Sequence, residues 1–391
     1  MDISLNEDQL FLHETARDFA REAMTPARIR SLEGSEQGYD PAVWQQMVDM
    51  GWAGAFFPEE YGGAAIGKTE LGLIIEALGQ GAVPSPMFST VIEAGMLLLD
   101  AGSRAQRETW LPRIASGSTL LTTAITEETG GLKPQEIKTR LVRSGNGFFI
   151  QGTKLFVRDA GTSEAMIVAA AGDKPDDITL VMVQCDNPRL SMQLMHVAGG
   201  EALWQVTFDN VAVDADAIVG EVGGGWPHVE RLQVRGAAFK AAELVGIGQA
   251  SLDLTISYAQ MRQQFGGPIG RFQAVHHHCA EMYRDLEICR MLSWQAAAAL
   301  NDGGDGAREA SIAKAKCSEA IMALTRVAHQ IHGAIGYYRD YPLELFYHRA
   351  IAAQAAYGEA GHHRRLLSEL LLKDPDTFRG DDRHDLPVHY F

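Results

Sequence analysis

The sequence predicts an α+β fold in three parts: an N-terminal helical domain, a middle antiparallel β-barrel-like domain and a C-terminal four-helix bundle. Three observations predict it. Apolar residues recur at helical spacing over 1–121, at strand spacing over 122–228 and at helical spacing again over 229–372. The strand-like runs of the middle zone follow one another without intervening helices, which favours antiparallel pairing over a βαβ arrangement. The chain has 391 residues, 46% apolar and 21% charged, enough for several cores and too apolar for a disordered chain.

In the first zone Leu12, Ala16, Phe19 and Ala23 lie on one helix face. Gly34, Gly38 and Pro41 punctuate a loop, a helix follows over 43–50, and PEEYGG at 58–63 forms the next loop. Helices resume over 69–78 and 90–100. In the second zone Ser144-Gly145-Asn146-Gly147 is a turn, and strands are expected over 148–157, 166–171, 178–183 and 204–213. In the last of these Trp204, Val206 and Phe208 alternate with Gln205, Thr207 and Asp209, the period of a half-buried strand. In the third zone Val245, Gly248, Leu252, Ile256 and Ala259 form one stripe, and Ile321, Leu324, Ala328 and Ile331 another. Residues 373–391 read as a polar tail.

Composition excludes several functions. Thirty-four Lys and Arg against 50 Asp and Glu give a net charge of −16, the wrong sign for a nucleic-acid binder. Four cysteines without CxxC spacing fit thiols in a reducing cytoplasm better than a disulfide framework. No basic and apolar leader opens the chain, and no uncharged apolar run reaches membrane-spanning length, so a cytoplasmic location without a membrane span is expected.

Gly246-Ile247-Gly248-Gln249-Ala250-Ser251 superficially approaches a dinucleotide fingerprint. It lies inside a helical stripe with no strand before it, so close helix packing is the better reading. His276-His277-His278 cannot converge on one metal ion, because successive helical residues point about 100° apart. Residues 262–274 (RQQFGGPIGRFQA) differ in kind. An arginine closes a long helix and a Gly/Pro turn leads into the next. Its guanidinium can grip a pyrophosphate bidentately or serve only to cap the helix.

The order of five segments resembles the acyl-CoA dehydrogenase flavoprotein family over nearly the whole chain. They are GWAGAFFPEEYGG at 51–63, Ala124-Ile125-Thr126-Glu127, Gly152-Thr153-Lys154-Leu155-Phe156-Val157, residues 262–274, and HQIHGAIGY at 329–337 followed by Asp340-Tyr341-Pro342. Residues 357–363 (YGEAGHH) are similar to a branch that includes the small subunit of pimeloyl-CoA dehydrogenase, whose members often work as heteromers of two homologous chains.

The resemblance implies FAD between the middle domain and the helical bundle. Carried over by position, Arg262 and Phe265 belong to the pyrophosphate turn. Gln330 and Gly333 contact the adenosine half, and Thr126 and Phe156 border the isoalloxazine. It also implies α,β-dehydrogenation of an acyl-CoA thioester, an electron-transfer flavoprotein as electron acceptor, and an oligomer with itself or with a homologous dehydrogenase subunit. A bulky or dicarboxylic substrate of lipid or steroid catabolism is the expected class.

A base must remove the α-proton while hydrogen bonds stabilise the enolate. Its two usual positions fall on Tyr357 and Gly236, and neither is a carboxylate. Glu359 is the candidate base, with Glu243 as a lesser one. Near the flavin, Arg158 and Leu132 replace hydroxyl residues. These departures leave four readings open: a catalytic subunit with a relocated base, a non-catalytic partner in a heteromer, a flavin-free acyl-CoA-binding or regulatory homologue, and a flavin oxidase or monooxygenase on the same fold.

Overall fold

A computed structural model describes residues 5–373 except 146, 175 and 302–304. The expected tail, beyond Lys373, and Asn146 of the expected turn lie outside the described residues. The N-terminal part holds α1 (Glu7–Ala23), α2 (Pro26–Leu32), α3 (Pro41–Asp49), α4 (Lys68–Gln80), a π-type turn over Met87–Gly95 running into α5 (Met96–Ala101), and α6 (Arg104–Ala115). Their starts are chemically marked. Asn6 and Ser103 form capping boxes with Gln9 and Gln106, and Thr25 and Asp40 cap helices that open on proline. The α1 stripe packs inward as its spacing predicts: Ala16 is buried, and Leu12, Phe19 and Ala23 lie against the core.

The middle part is one sheet of β1 (Leu121–Ala124), β2 (Arg140–Ser144), β3 (Gly147–Arg158), β4 (Ala165–Ala171), β5 (Ile178–Gln184), β6 (Leu190–Met195), β7 (Leu203–Val213) and β8 (Ile218–Val219). The order β6-β7-β3-β2-β4-β5-β8, with β1 beside β4, leaves the path open. The expected barrel closure is not found. Most pairs are antiparallel, but β1 and β2 each meet β4 in parallel. β1, β2, β6 and β8 are short or carry polar residues, so the apolar pattern does not announce them.

The centre of the sheet, β4 and β5, is buried on both faces. In β4, Ala165, Ile167, Ala169 and Ala171 join the main core, whereas Met166, Val168 and Ala170 face a second, smaller core with Trp204, Val206 and Phe208. A strand with two dry faces reads as a continuous apolar run rather than an alternating one.

The C-terminal part comprises α7 (Trp226–Met261), α8 (Gln273–Ala299), α9 (Ala307–His332), α10 (Pro342–Ala355) and α11 (Ala360–Lys373). The first four form the bundle, and α11 lies along α9. The Gly246–Gly248 segment is where helices touch. A Cβ at 246 would sit 1.9 Å from the Glu76 carbonyl oxygen of α4, and one at 248 would sit 2.6 Å from Ile321 Cδ1 of α9. The glycines therefore serve packing.

Candidate active site

The site forms where the end of β3 meets the π-type turn, α7 and the α10–α11 junction. Lys154 of β3 is fully buried and donates to the Ile125 carbonyl at 3.0 Å and to Glu127 Oε1 at 2.7 Å. Burial pulls the Lys154 ammonium down to about 8, against the attraction of Glu127. Glu127 also accepts the Lys138 and Thr139 amides, and the Leu155 amide donates to the Thr126 carbonyl. This clamp sets Thr126 beside Phe156. A register break follows Lys154 in β3. Phe156 takes φ +56° and turns outward at 44% exposure, while Arg158 turns inward.

Arg158 enters a buried polar network. It donates to Glu93 Oε1 at 2.9 Å, and its Nε lies 3.7 Å from Glu201. Glu93 also accepts from Thr123 at 2.8 Å and from the Tyr357 hydroxyl. Lys240 of α7 joins Glu201 at 3.0 Å to Glu243 at 2.6 Å. Burial alone would push the Glu201 carboxyl up, but Lys240 and Arg158 outweigh it and hold it at about 2. Asp159 accepts from Ser89 Oγ at 2.5 Å, and burial pushes its carboxyl up to about 7. Burial and the Glu93 charge raise the Tyr357 phenol well above its usual range.

Tyr357 occupies the first expected base position, and its ring fills the second. A Cβ on Gly236 would lie 2.3 Å from Tyr357 Cε1. The small residues of α7 here make room for this ring. The turn is held from behind. Lys314 of α9 donates to the Gln354 carbonyl at 2.7 Å and the Gly358 carbonyl at 2.9 Å, and His363 Nε2 meets the Tyr357 carbonyl at 3.0 Å. Tyr357 and Gly358 take φ of +56° and +96°. Burial lowers Lys314 to about 7 and His363 to about 3.

Glu359 does not join this cluster. It is exposed, and its carbonyl accepts the His363 amide at the start of α11, outside the lining of the cavity. Solvent reaches its carboxylate directly. Glu243 does line the cavity, yet its carboxylate is bound to Lys240. The residues that sequence reasoning missed are Glu93, Glu201, Lys240 and Arg349. One signal was available: Glu93 and Lys240 are lone charges inside the apolar runs STVIEAGMLLL and GAAFKAA.

The turn after α7 is open by contrast. Arg262 is exposed, and its guanidinium makes no hydrogen bond or ion pair with a described residue. Phe265 is 83% exposed and meets Phe272 edge-on. Gln330 and Gly333, at the end of α9, are also exposed. Gly333 takes φ +64° and ψ −142°, a conformation that favours glycine, and a Cβ there would meet nothing within 4 Å. Its requirement within this chain is backbone conformation rather than steric room.

These residues fit a flavin dinucleotide in their donor chemistry. An unspent guanidinium suits a diphosphate, and the exposed Phe156 face beside Thr126 suits a planar ring. The fit departs from the expected pattern at Arg158, whose donors are turned to Glu93, and at Leu132, which offers no hydroxyl and whose amide binds Glu136.

Comparison with known proteins agrees with this layout. The family models described as acyl-CoA dehydrogenase N-terminal, middle and C-terminal domains match residues 6–118, 122–211 and 223–372. Cyclohex-1-ene-1-carbonyl-CoA dehydrogenase of Geobacter metallireducens is 30% identical over 378 residues, covering 94% of this chain and 99% of that protein. The structure of butyryl-CoA dehydrogenase from Megasphaera elsdenii superposes with a TM-score of 0.89 at 26% identity, covering 95% of this chain and 100% of that one. A chain of the ChsE4–ChsE5 complex from Mycobacterium tuberculosis gives 0.86 at 25% identity, covering 96% and 100%.

Proposed function

Because the chain belongs to the acyl-CoA dehydrogenase family, we propose that this acyl-CoA dehydrogenase-type oxidoreductase works as a heteromer. In it this chain completes a flavin site and a homologous chain supplies the α-proton base. The observation that carries this reading is the state of the base position. Tyr357 stands there with its hydroxyl bound to Glu93 and its ring against Gly236. A base must keep a lone pair free and gain a proton readily. Glu93 is committed to Tyr357, Arg158 and Thr123, and Glu201 and Glu243 to Lys240. Asp159 has a suitable proton affinity but is capped by Ser89.

FAD is the proposed cofactor. Arg262 and Phe265 would hold its diphosphate turn, Gln330 and Gly333 its adenosine half, and Thr126 and Phe156 its ring. When bound it would accept the β-hydride of the thioester and pass electrons to an electron-transfer flavoprotein. Arg262 orients the dinucleotide by charge-assisted hydrogen bonds, and the Lys154–Glu127 clamp keeps the Thr126–Phe156 edge rigid. The Tyr357 ring excludes an acyl chain from the space it fills. A bulky or dicarboxylic acyl-CoA is the proposed substrate class. The relative named for a cyclic acyl thioester supports the bulky form, and the similarity to the ChsE4–ChsE5 complex supports pairing of two chains.

Co-expression with homologous dehydrogenase chains tests the reading. Flavin absorbance and thioester-dependent bleaching are expected in a mixed oligomer, and bleaching should persist in Tyr357→Phe. Full bleaching by this chain alone would refute the division of labour. A colourless protein in every pairing would favour a flavin-free binding role instead.

A further inference from the structure

The cavity behind Arg158 holds a cation that no described residue pairs with. Arg349 of α10 is 7% exposed, yet its guanidinium makes no hydrogen bond, and no ion pair within 4 Å, with a described residue. It feels the Glu201 charge only at a distance. Its Nε and that of Arg158 are both enclosed without an acceptor. A buried guanidinium with its donors unspent calls for an oxygen ligand. The cavity that Arg349 lines has a volume of about 60 Å³, with Arg158, Asp159, Glu201, Lys240 and Glu243 around it. That is room for a few heavy atoms.

Each lining carboxylate has one oxygen committed to another group, and none of them lies within 4 Å of the Arg349 guanidinium. Glu201 and Glu243 lie on Lys240, and Asp159 takes the Ser89 hydroxyl. The incoming group must therefore bring acceptor atoms of its own. We propose that this cavity is a carboxylate-binding subsite with the Arg349 guanidinium as its donor. A planar carboxylate offers the paired oxygens that a guanidinium fork matches. The proposal goes beyond the heteromer reading and does not depend on it, because it concerns binding without turnover.

Charge balance predicts how binding responds to pH. Three cations (Arg158, Lys240, Arg349) face Glu201, Glu243, Asp159 and the adjoining Glu93. One more carboxylate adds a negative charge, which protonation of Asp159 offsets. Ser89, Tyr39, Arg158, Glu93 and Glu201 are the polar and charged groups acting on Asp159, and its carboxyl titrates at about 7. Affinity should then rise as pH falls from about 8 to about 6, with proton uptake that Asp159→Asn removes.

The test is calorimetric titration of the full chain in the oligomer it forms. The probes are propanoate, the uncharged propanamide, glutaryl-CoA and butyryl-CoA. Propanoate is expected to bind roughly tenfold or more tightly than propanamide, and Arg349→Gln should lose that margin. Glutaryl-CoA binding more tightly than butyryl-CoA, and displacing propanoate, would identify the ligand as the far carboxylate of a dicarboxylic thioester. Propanoate binding with the two thioesters alike would identify a free acid. Equal binding of propanoate and propanamide, or unchanged propanoate affinity in Arg349→Gln, would overturn the site. Should that variant fail to fold, the propanoate–propanamide comparison in the unaltered protein decides.

Discussion

Arg262 and Arg158 are the same residue type in opposite settings, 104 positions apart in the chain. Arg262 stands at an open helix end, and its guanidinium has no partner among the described residues. Arg158 is drawn inside and fixed by Glu93, beneath Tyr357. The first region is unfinished until something from outside meets it. The second has largely finished itself: among the described residues Arg158 and Lys240 are matched with carboxylates, and Arg349 is not. An exposed guanidinium keeps its full capacity for a ligand. A buried one must find its counter-charges during folding, because a lone buried charge is too costly to keep. In one fold, then, one arginine keeps its donors free at the surface while another spends them inside on the chain's own carboxylates.

Breaking the inner region should have the largest effect. Lys240→Met leaves Glu201 and Glu243 buried without their shared cation, and should cost about 3–5 kcal/mol in denaturant unfolding. A loss below about 1 kcal/mol would mean that the network is solvated. Next is the turn that holds Tyr357. His363 titrates at about 3 in the fold against 6.5 in a free chain. Between those values the unfolded chain binds the proton and the native one does not, so stability drains away as pH falls from 6.5 toward 3. The loss accrues at about 1.4 kcal/mol for each pH unit crossed in that window. His363→Gln should flatten that slope, and parallel acid curves for the two proteins would refute the linkage.

The open region should respond differently. Arg262→Ala should lower flavin affinity by about 1.5–3 kcal/mol, read as flavin per oligomer. It should leave chain stability within about 0.5 kcal/mol. A stability loss as large as that of Lys240→Met would erase the contrast between the regions. The smallest effect is expected at Glu359. Glu359→Gln should change stability by less than about 0.5 kcal/mol and leave bleaching of the mixed oligomer intact. Abolished bleaching would make Glu359 the base after all.

Much of this was legible in the residues. The three-part order followed from periodicity, and the Gly246–Gly248 packing seam from its place within a helical stripe. The two positions without a carboxylate could be counted from Tyr341-Pro342 and from Gly246. Helix α2 was not legible from apolar spacing because it has only seven residues, and α6 because charged and polar residues and Pro112 interrupt its apolar stripe. β1 and β2 escaped because buried threonines and exposed arginines do not alternate as a strand pattern should. Whether the sheet closes was not legible either: alternation shows that a strand has two faces but not whether its sheet joins end to end.

The sequence by itself determined which chemical groups this protein has and in what order, because residue type and local spacing are properties of a linear chain. That sufficed for the domain order, the unfilled base positions and the arginine at the turn. Only the tertiary structure decided which charges meet. Glu93, Arg158, Glu201, Lys240, Arg349 and Tyr357 come from five separate segments, and the pairing of charges across a core depends on distance in space. One arginine became a buried counter-ion and another stayed free because of where the chain carried them, a difference that no local pattern encodes.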